Sequence, residues 1–355
     1  MEAAFINQRS YIMNKSDLAN SRVIIVSALI CLNVWACQQK KILLHPEIAT
    51  SVQVIDNELY KVIDKGTKIE ILADGFTWSE GPLWLPTLQK LIFTDVPENT
   101  IYSWDDKHGK QVYLKPSGYT IINPNGGTEG ANGLILDHNG KLILCQHGNR
   151  SVARMDAPVN EPKPNFEYLA KAHKGKLFNS PNDICLSRSG DMYFTDPPYG
   201  LPKQDNDPIK ELPFNGIYLL KKNGTLILID STLTRPNGIA LSKDEKYMIV
   251  ANSDEKNAIW VKYMLDDDKN ITSKSVFADM THLVPKQKGL PDGLKIHKKG
   301  YIFATGPGGV LIFHPDGRHL GTINTGQATA NCAFDEDEKY LYMTAHKYLM
   351  RIKIK

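Results

Sequence analysis

The segment Arg235-Pro-Asn-Gly-Ile-Ala-Leu-Ser242 decides the fold. Its Pro-Asn-Gly reads as a turn that delivers one polar side chain, Asn237, to the head of a short apolar run. The phrase recurs five times in altered form. Upstream stand Ser79-Glu-Gly-Pro-Leu-Trp84, Ala131-Asn-Gly-Leu-Ile-Leu136 and Ser180-Pro-Asn-Asp-Ile-Cys185; downstream stand Leu290-Pro-Asp-Gly-Leu-Lys295 and Ala330-Asn-Cys-Ala-Phe334. The polar residues Glu80, Asn132, Asn182, Asn237, Asp292 and Asn331 are separated by 52, 50, 55, 55 and 39 positions. That is close to the period of roughly 40–50 residues of one propeller blade.

Each copy continues alike: four to six mostly apolar residues, a polar or Gly-containing turn, and a second apolar run. Leu134-Ile-Leu-Asp-His-Asn-Gly-Lys-Leu-Ile-Leu144 and Ile184-Cys-Leu-Ser-Arg-Ser-Gly-Asp-Met-Tyr-Phe194 are the clearest pairs. Short β-rich runs split by turn residues are hairpins. Six of them at a steady period predict an all-β chain, a six-bladed β-propeller with four-stranded blades. The head of each innermost strand then points to the central channel, so the six polar residues converge at one end of it. The last repeat leaves room for only about three strands, so a strand from the N-terminal region must complete that blade; Lys68-Ile-Glu-Ile-Leu72 is the candidate.

The 355 residues are 42% hydrophobic and 23% charged, with a net charge of +3 and no long basic tract. This is ordinary globular composition, without a nucleic-acid or membrane-binding charge pattern. Cys145, Cys185 and Cys332 lie in repeat strands with no C-x-x-C spacing and read as small buried hydrophobes. Cys31 and Cys37 belong to Val-Ile-Ile-Val-Ser-Ala-Leu-Ile-Cys-Leu-Asn-Val-Trp-Ala-Cys37, a 15-residue apolar run following Arg9, Lys15 and Arg22. It is short for a membrane span and suits the core of a secretory signal, with Met13 as an alternative start. Its ending resembles a bacterial lipoprotein cleavage box with Cys37 as the lipid-bearing residue. The expected division is a signal peptide at 1–37, a tether at 38–58 and the propeller at 59–355. The expected location is export, to the periplasm or as an outer-membrane lipoprotein, with Cys37 the only membrane attachment. Nothing in the sequence specifies an oligomeric state.

Glu80, Asn182, Asn237 and Asp292 are the candidate metal ligands. All offer oxygen, and two carboxylates offset the charge of a divalent cation. Hard oxygen donors favour calcium or magnesium over zinc or copper. Any single Asn-Gly or Asp-Gly is more simply a turn; recurrence at equivalent repeat positions is what points to function. His147, in the polar cluster Gln146-His-Gly-Asn-Arg150 after an apolar strand, is a candidate base or substrate contact. Arg150, Asn132 and Glu129 are candidate substrate contacts, and Asn331 reads as structural. The long connections at 116–129 and 196–213 are candidate walls of a pocket. There is no G-x-S-x-G elbow, no H-E-x-x-H and no phosphate-binding Gly loop.

With Ser79-Glu-Gly-Pro, Ser180-Pro-Asn-Asp, Arg235-Pro-Asn-Gly and Leu290-Pro-Asp-Gly in hand, the chain resembles the family of senescence marker protein, gluconolactonase and luciferin-regenerating enzyme. Gln146-His-Gly-Asn-Arg150 and Thr195-Asp-Pro-Pro-Tyr-Gly200 resemble its bacterial gluconolactonase-like branch. The resemblance covers 68–355 and implies a six-bladed propeller with one divalent cation in the channel, calcium first, with magnesium or zinc as alternatives. Carried over by motif, Glu80, Asn237 and Asp292 match metal ligands; Asn182 matches a position that binds metal in some members and substrate in others. The implied reaction is hydrolysis of a sugar-acid lactone, a small-molecule substrate, with Asp292 or His147 as general base. A phosphotriester or other ester on the same site, and a non-catalytic binding propeller, are the competing readings.

Overall fold

The computed structural model describes residues 48–120 and 129–355. The expected signal at 1–37, with Cys37, and residues 38–47 of the expected tether lie outside the described residues, as do 121–128 of the first long connection.

Six antiparallel sheets of four or five strands follow one another along the chain, with a two-stranded ribbon, Ala172–His173 and Lys176–Leu177, between the second and the third. Their innermost strands are Ser79–Leu85, Ala131–Leu136, Ile184–Leu186, Pro236–Leu241, Leu294–Ile296 and Asn331–Phe334. Each packs on the next, and the sixth packs on the first, closing a ring. The apolar faces meet between blades, and each of the six blade interfaces is filled by its own cluster. Ile92, Leu134 and Leu144 fill the interface between blades one and two. Phe93, Tyr342 and Leu349 fill that between six and one. This is the six-bladed propeller that the repeat predicts.

The sixth blade is completed as expected. Ile69–Asp74 pairs antiparallel with Tyr348–Lys353, with Ile69 opposite Ile352 and Asp74 opposite Tyr348. The tether expected over 38–58 departs from the structure in its C-terminal part. Ser51–Val54 pairs with His319–Asn324 as a fifth strand of blade five, satisfying backbone groups that an edge strand leaves open. A short 3-10 helix, Asn57–Lys61, follows, with the Asp56 side chain accepting from Glu58 N at its start. Leu59, Val62 and Ile63 are buried with Phe303, Ile312 and Ile352. This segment straps blades five and six together.

The recurring Asn-Gly is not a turn. Asn132-Gly133 and Asn237-Gly238 lie inside Ala131–Leu136 and Pro236–Leu241, at register irregularities between Ala131 and Leu134 and between Pro236 and Ile239. The glycine is required by its neighbour: a Cβ on Gly238 would stand 2.1 Å from Asp292 O, and one on Gly133 would stand 2.6 Å from Asn182 O. Innermost strands approach backbone to backbone around the channel, and Gly133 N donates to Asn182 O at 2.8 Å across one such junction.

The segment leading into three of these strands is latched by a side chain at or near the end of the neighbouring strand. Asp95 accepts from Thr77 N and Trp78 N, both at 3.0 Å. Asp196 accepts from Asn179 N and Ser180 N at 2.9 and 2.7 Å, and Asn252 from Arg235 N at 2.9 Å.

Candidate active site

Five of the six repeat residues, Glu80, Asn132, Asn182, Asn237 and Asp292, line one cavity of about 830 Å³ at the end of the channel. They come from five different blades, each at or just before the head of its blade's innermost strand. Asn331, from the sixth, is buried but outside the lining. Its Oδ1 accepts from Cys332 N at 2.9 Å and lies 3.4 Å from Lys295 Nζ, and its side chain hydrogen-bonds Glu80. It supports the site from behind, in keeping with its structural reading.

The electrostatics are unusual. Burial pushes the Glu80 carboxyl up to about 7, helped by the charge of Asp183 and opposed by the bond from Gly81 N. Burial raises Asp292 well above the ordinary carboxylate range, with Glu80 and Asp183 adding repulsion. Oδ1 of Asn132, of Asn237 and of Asp292 are each buried without a hydrogen-bond partner among the described residues. Buried acceptors without donors are costly, and two carboxylates repelling each other beside them form an oxygen-lined, anionic site. No three His, Cys, Asp or Glu side chains gather as a metal cluster among the described residues; what gathers is two carboxylates with three amides. Hard oxygens with this charge suit a divalent cation of the calcium or magnesium type.

Asp183 was not foreseen. It is 3% exposed, its Oδ1 accepts from Ile184 N at 2.9 Å and its Oδ2 has no partner among the described residues. Four repeats carry Gly immediately after the polar residue (Gly81, Gly133, Gly238, Gly293), and Asp183 replaces it in the third. That departure was the available signal.

His147 and Glu129 line the same cavity. His147 Nδ1 lies 3.2 Å from Glu129 Oε2, while its Nε2 is buried with no partner among the described residues. Glu129, expected to contact substrate, thus holds a histidine ring. The connection at 196–213 walls the cavity through Tyr199 and Gln204. Packing of Gly200 against the ring of His147 fixes this loop, since a Cβ there would meet His147 Cβ at 2.7 Å.

Arg150 is the correction. It does not line the cavity. Its guanidinium donates to the carbonyls of Phe178 at 2.5 Å, Ile209 at 3.1 Å and Leu177 at 3.4 Å, with Glu211 at 3.9 Å. A turn closed by Arg150 N on His147 O, with Arg150 at φ 51°, separates the two side chains. Arg150 ties blade two to the loops of blade three.

The sequence matches the SMP-30/Gluconolactonase/LRE-like region over residues 78–347. It is 40% identical over 301 residues to a gluconolactonase of Zymomonas mobilis, covering 83% of each chain. The fold is similar to that of a gluconolactonase of Xanthomonas campestris, with a TM-score of 0.74 and 27% identity over 88% of this chain and 99% of that one. It is also similar to a calcium-binding protein, regucalcin, of Agrobacterium tumefaciens, with a TM-score of 0.64 and 18% identity over 81% of this chain and 95% of that one.

Proposed function

The chain belongs to the SMP-30/gluconolactonase/LRE-like family and is a lactonase acting on sugar lactones, and from that premise we propose that it opens an aldonolactone such as gluconolactone with the help of a divalent cation. The observation that carries the reading is the set of partnerless buried oxygens on Asn132, Asn237 and Asp292, gathered with Glu80 in one cavity.

Glu80, Asn182, Asn237 and Asp292 would hold the cation, calcium by preference. When bound, it supplies a Lewis acid for the lactone carbonyl oxygen. The chain's own groups do the rest. His147 offers Nε2 to the attacking water, its Nδ1–H directed to Glu129 so that the lone pair stands on the cavity side. Once the water has added and the ring C–O bond breaks, the same imidazolium returns its proton to the ring oxygen that leaves as a hydroxyl. Asp292 is already engaged by Gly293 N and the Asn237 amide, which suits a ligand better than a base. The apolar run ending at Cys37 supports export of the enzyme.

The test is hydrolysis of a lactone panel beside phosphotriesters, with and without EDTA, followed by add-back of calcium, magnesium or zinc. Lactone turnover that vanishes on chelation and returns with one cation supports the reading. Undiminished turnover in EDTA refutes the metal assignment, and preference for the phosphotriester refutes the substrate.

A further inference from the structure

One basic side chain on the cavity wall has no part in the chemistry above. Arg235 stands two residues before Asn237. It precedes a proline, which holds its backbone extended, and its carbonyl accepts from Ser253 N at 2.9 Å, continuing the ladder of Pro236–Leu241. Side chains two apart on an extended chain share a face, about 7 Å apart along it. The register irregularity begins only after Pro236, and Arg235 and Asn237 both line the cavity, two residues apart on the chain.

Its guanidinium is held from three sides. Nη2 is 3.2 Å from Asp205 Oδ2, Nη1 donates to Gln204 Oε1, and the group lies 5.6 Å from the centroid of the Tyr199 ring. The partners are themselves fixed: Asn215 Nδ2 donates to Asp205 Oδ1 at 2.9 Å, and Tyr199 OH donates to Ser253 O at 3.3 Å. A guanidinium carries five N–H donors, so an oriented group bonded in this way keeps donors to spare. Asp205 balances its charge, and Asp254 and Glu255 share the lining with Lys256. This wall offers hydrogen bonds without a surplus of positive charge, which suits neutral hydroxyls rather than a phosphate or carboxylate tail.

The structure assigns Arg235 as the residue that selects polyhydroxylated lactones, by donating to ring or side-chain hydroxyls about one strand layer from the carbonyl. This rests on the lactonase reading and adds to it the part of the substrate that is recognised. Arg235 is a specificity residue; it takes no part in proton transfer.

The test measures binding of two inert lactams to the cation-loaded protein by calorimetry, gluconolactam with its hydroxyls and δ-valerolactam without them. It also measures turnover of gluconolactone and δ-valerolactone. In Arg235→Met, gluconolactam binding and the gluconolactone KM worsen at least tenfold, the size expected for a lost charge-assisted hydrogen bond. Gluconolactone kcat and all valerolactone and valerolactam values stay within about threefold. Arg235→Lys, tested beside it with the thermal midpoint as folding control, recovers part of the discrimination. Equal losses for hydroxylated and plain ligands, no loss for either, or no gluconolactam binding by the wild type overturns the assignment. Selective lactam binding in a protein that hydrolyses no lactone leaves Arg235 standing and overturns the enzymatic reading instead.

Discussion

His147 Nδ1 sits 3.2 Å from Glu129 Oε2, and the opposite ring nitrogen, Nε2, is buried with no partner among the described residues. In the mechanism proposed above this histidine, 2% exposed and bonded at one nitrogen only among the described residues, is the base, with Nε2 on the side of the ring away from the carboxylate. His147→Asn is expected to lower kcat on gluconolactone by about 10²–10⁴, with cation affinity unchanged. Glu129→Gln, which keeps the contact but not the charge, is expected to lose less. Stopped-flow turnover beside calcium calorimetry checks both; a near-normal kcat in His147→Asn returns the base to Asp292.

The cation ligands give the opposite signature. Glu80→Gln and Asp292→Asn each remove an ionisable carboxyl from a site where burial and mutual repulsion raise both. Calcium affinity falls at least tenfold in each, while the thermal midpoint of the metal-free protein rises above about pH 7, where ionising a buried carboxyl costs stability. Calorimetry and a melting curve in EDTA check this. A lower midpoint in both variants would refute the electrostatic account.

Stability in EDTA should decline as pH rises from about 5 to 8. Glu80 moves from the ordinary 4.5 to about 7 and Asp196 from 3.8 to about 7, both mainly by burial. A raised carboxyl binds its proton more tightly folded than unfolded. Its contribution is complete below the unfolded value and disappears as pH passes the folded one, at no more than about 1.4 kcal/mol per pH unit per group. Saturating calcium should flatten the part due to Glu80 and Asp292 but leave that of Asp196, which Asp196→Asn should remove. Melting curves across pH with and without calcium measure each part.

How much of this was legible follows from what each residue had to satisfy. Glu80, Asn182, Asn237 and Asp292 stood out because a ring repeats its innermost strand, so equivalent positions recur along the chain. Asn237-Gly238 was found for the wrong reason: it reads as a turn, yet the glycine is there because Asp292 O would stand 2.1 Å from a Cβ. Contacts between blades lie about fifty residues apart and leave no local pattern. Asp183 was hidden beside Asn182, which already explained the motif. Arg150 shared a polar run with His147, and only a backbone turn at φ 51° separates them. Arg235 was in plain view as the first letter of the deciding segment, but its partners Gln204 and Asp205 sit on a loop of another blade.

Gly238→Ala is expected to be destabilising without touching any ligand side chain. Its Cβ would press on backbone, at Asp292 O and at Gly293 Cα 2.7 Å away. The cost is about 1–3 kcal/mol or more, with a matching loss of calcium affinity as blades four and five part. Denaturant unfolding and calorimetry on one preparation test the link; a stable variant with normal affinity would break it.

Leu59→Ala probes the strap across blades five and six. The residue is fully buried with Val62 and Ile63, and its truncation should cost about 2–5 kcal/mol. Lactone kinetics below the melting transition should be unchanged. Loss of kcat at temperatures where the fold persists would show that the strap also governs the cavity.

The pairing of Ile69–Asp74 with Tyr348–Lys353 also dictates when the domain becomes whole. A ribosome makes the first of these strands some 280 residues before its partner, so throughout that interval the nascent propeller is an open arc. Two blade faces stay uncovered until Tyr348–Lys353 emerges, and only then do the side chains of the cavity acquire their common centre.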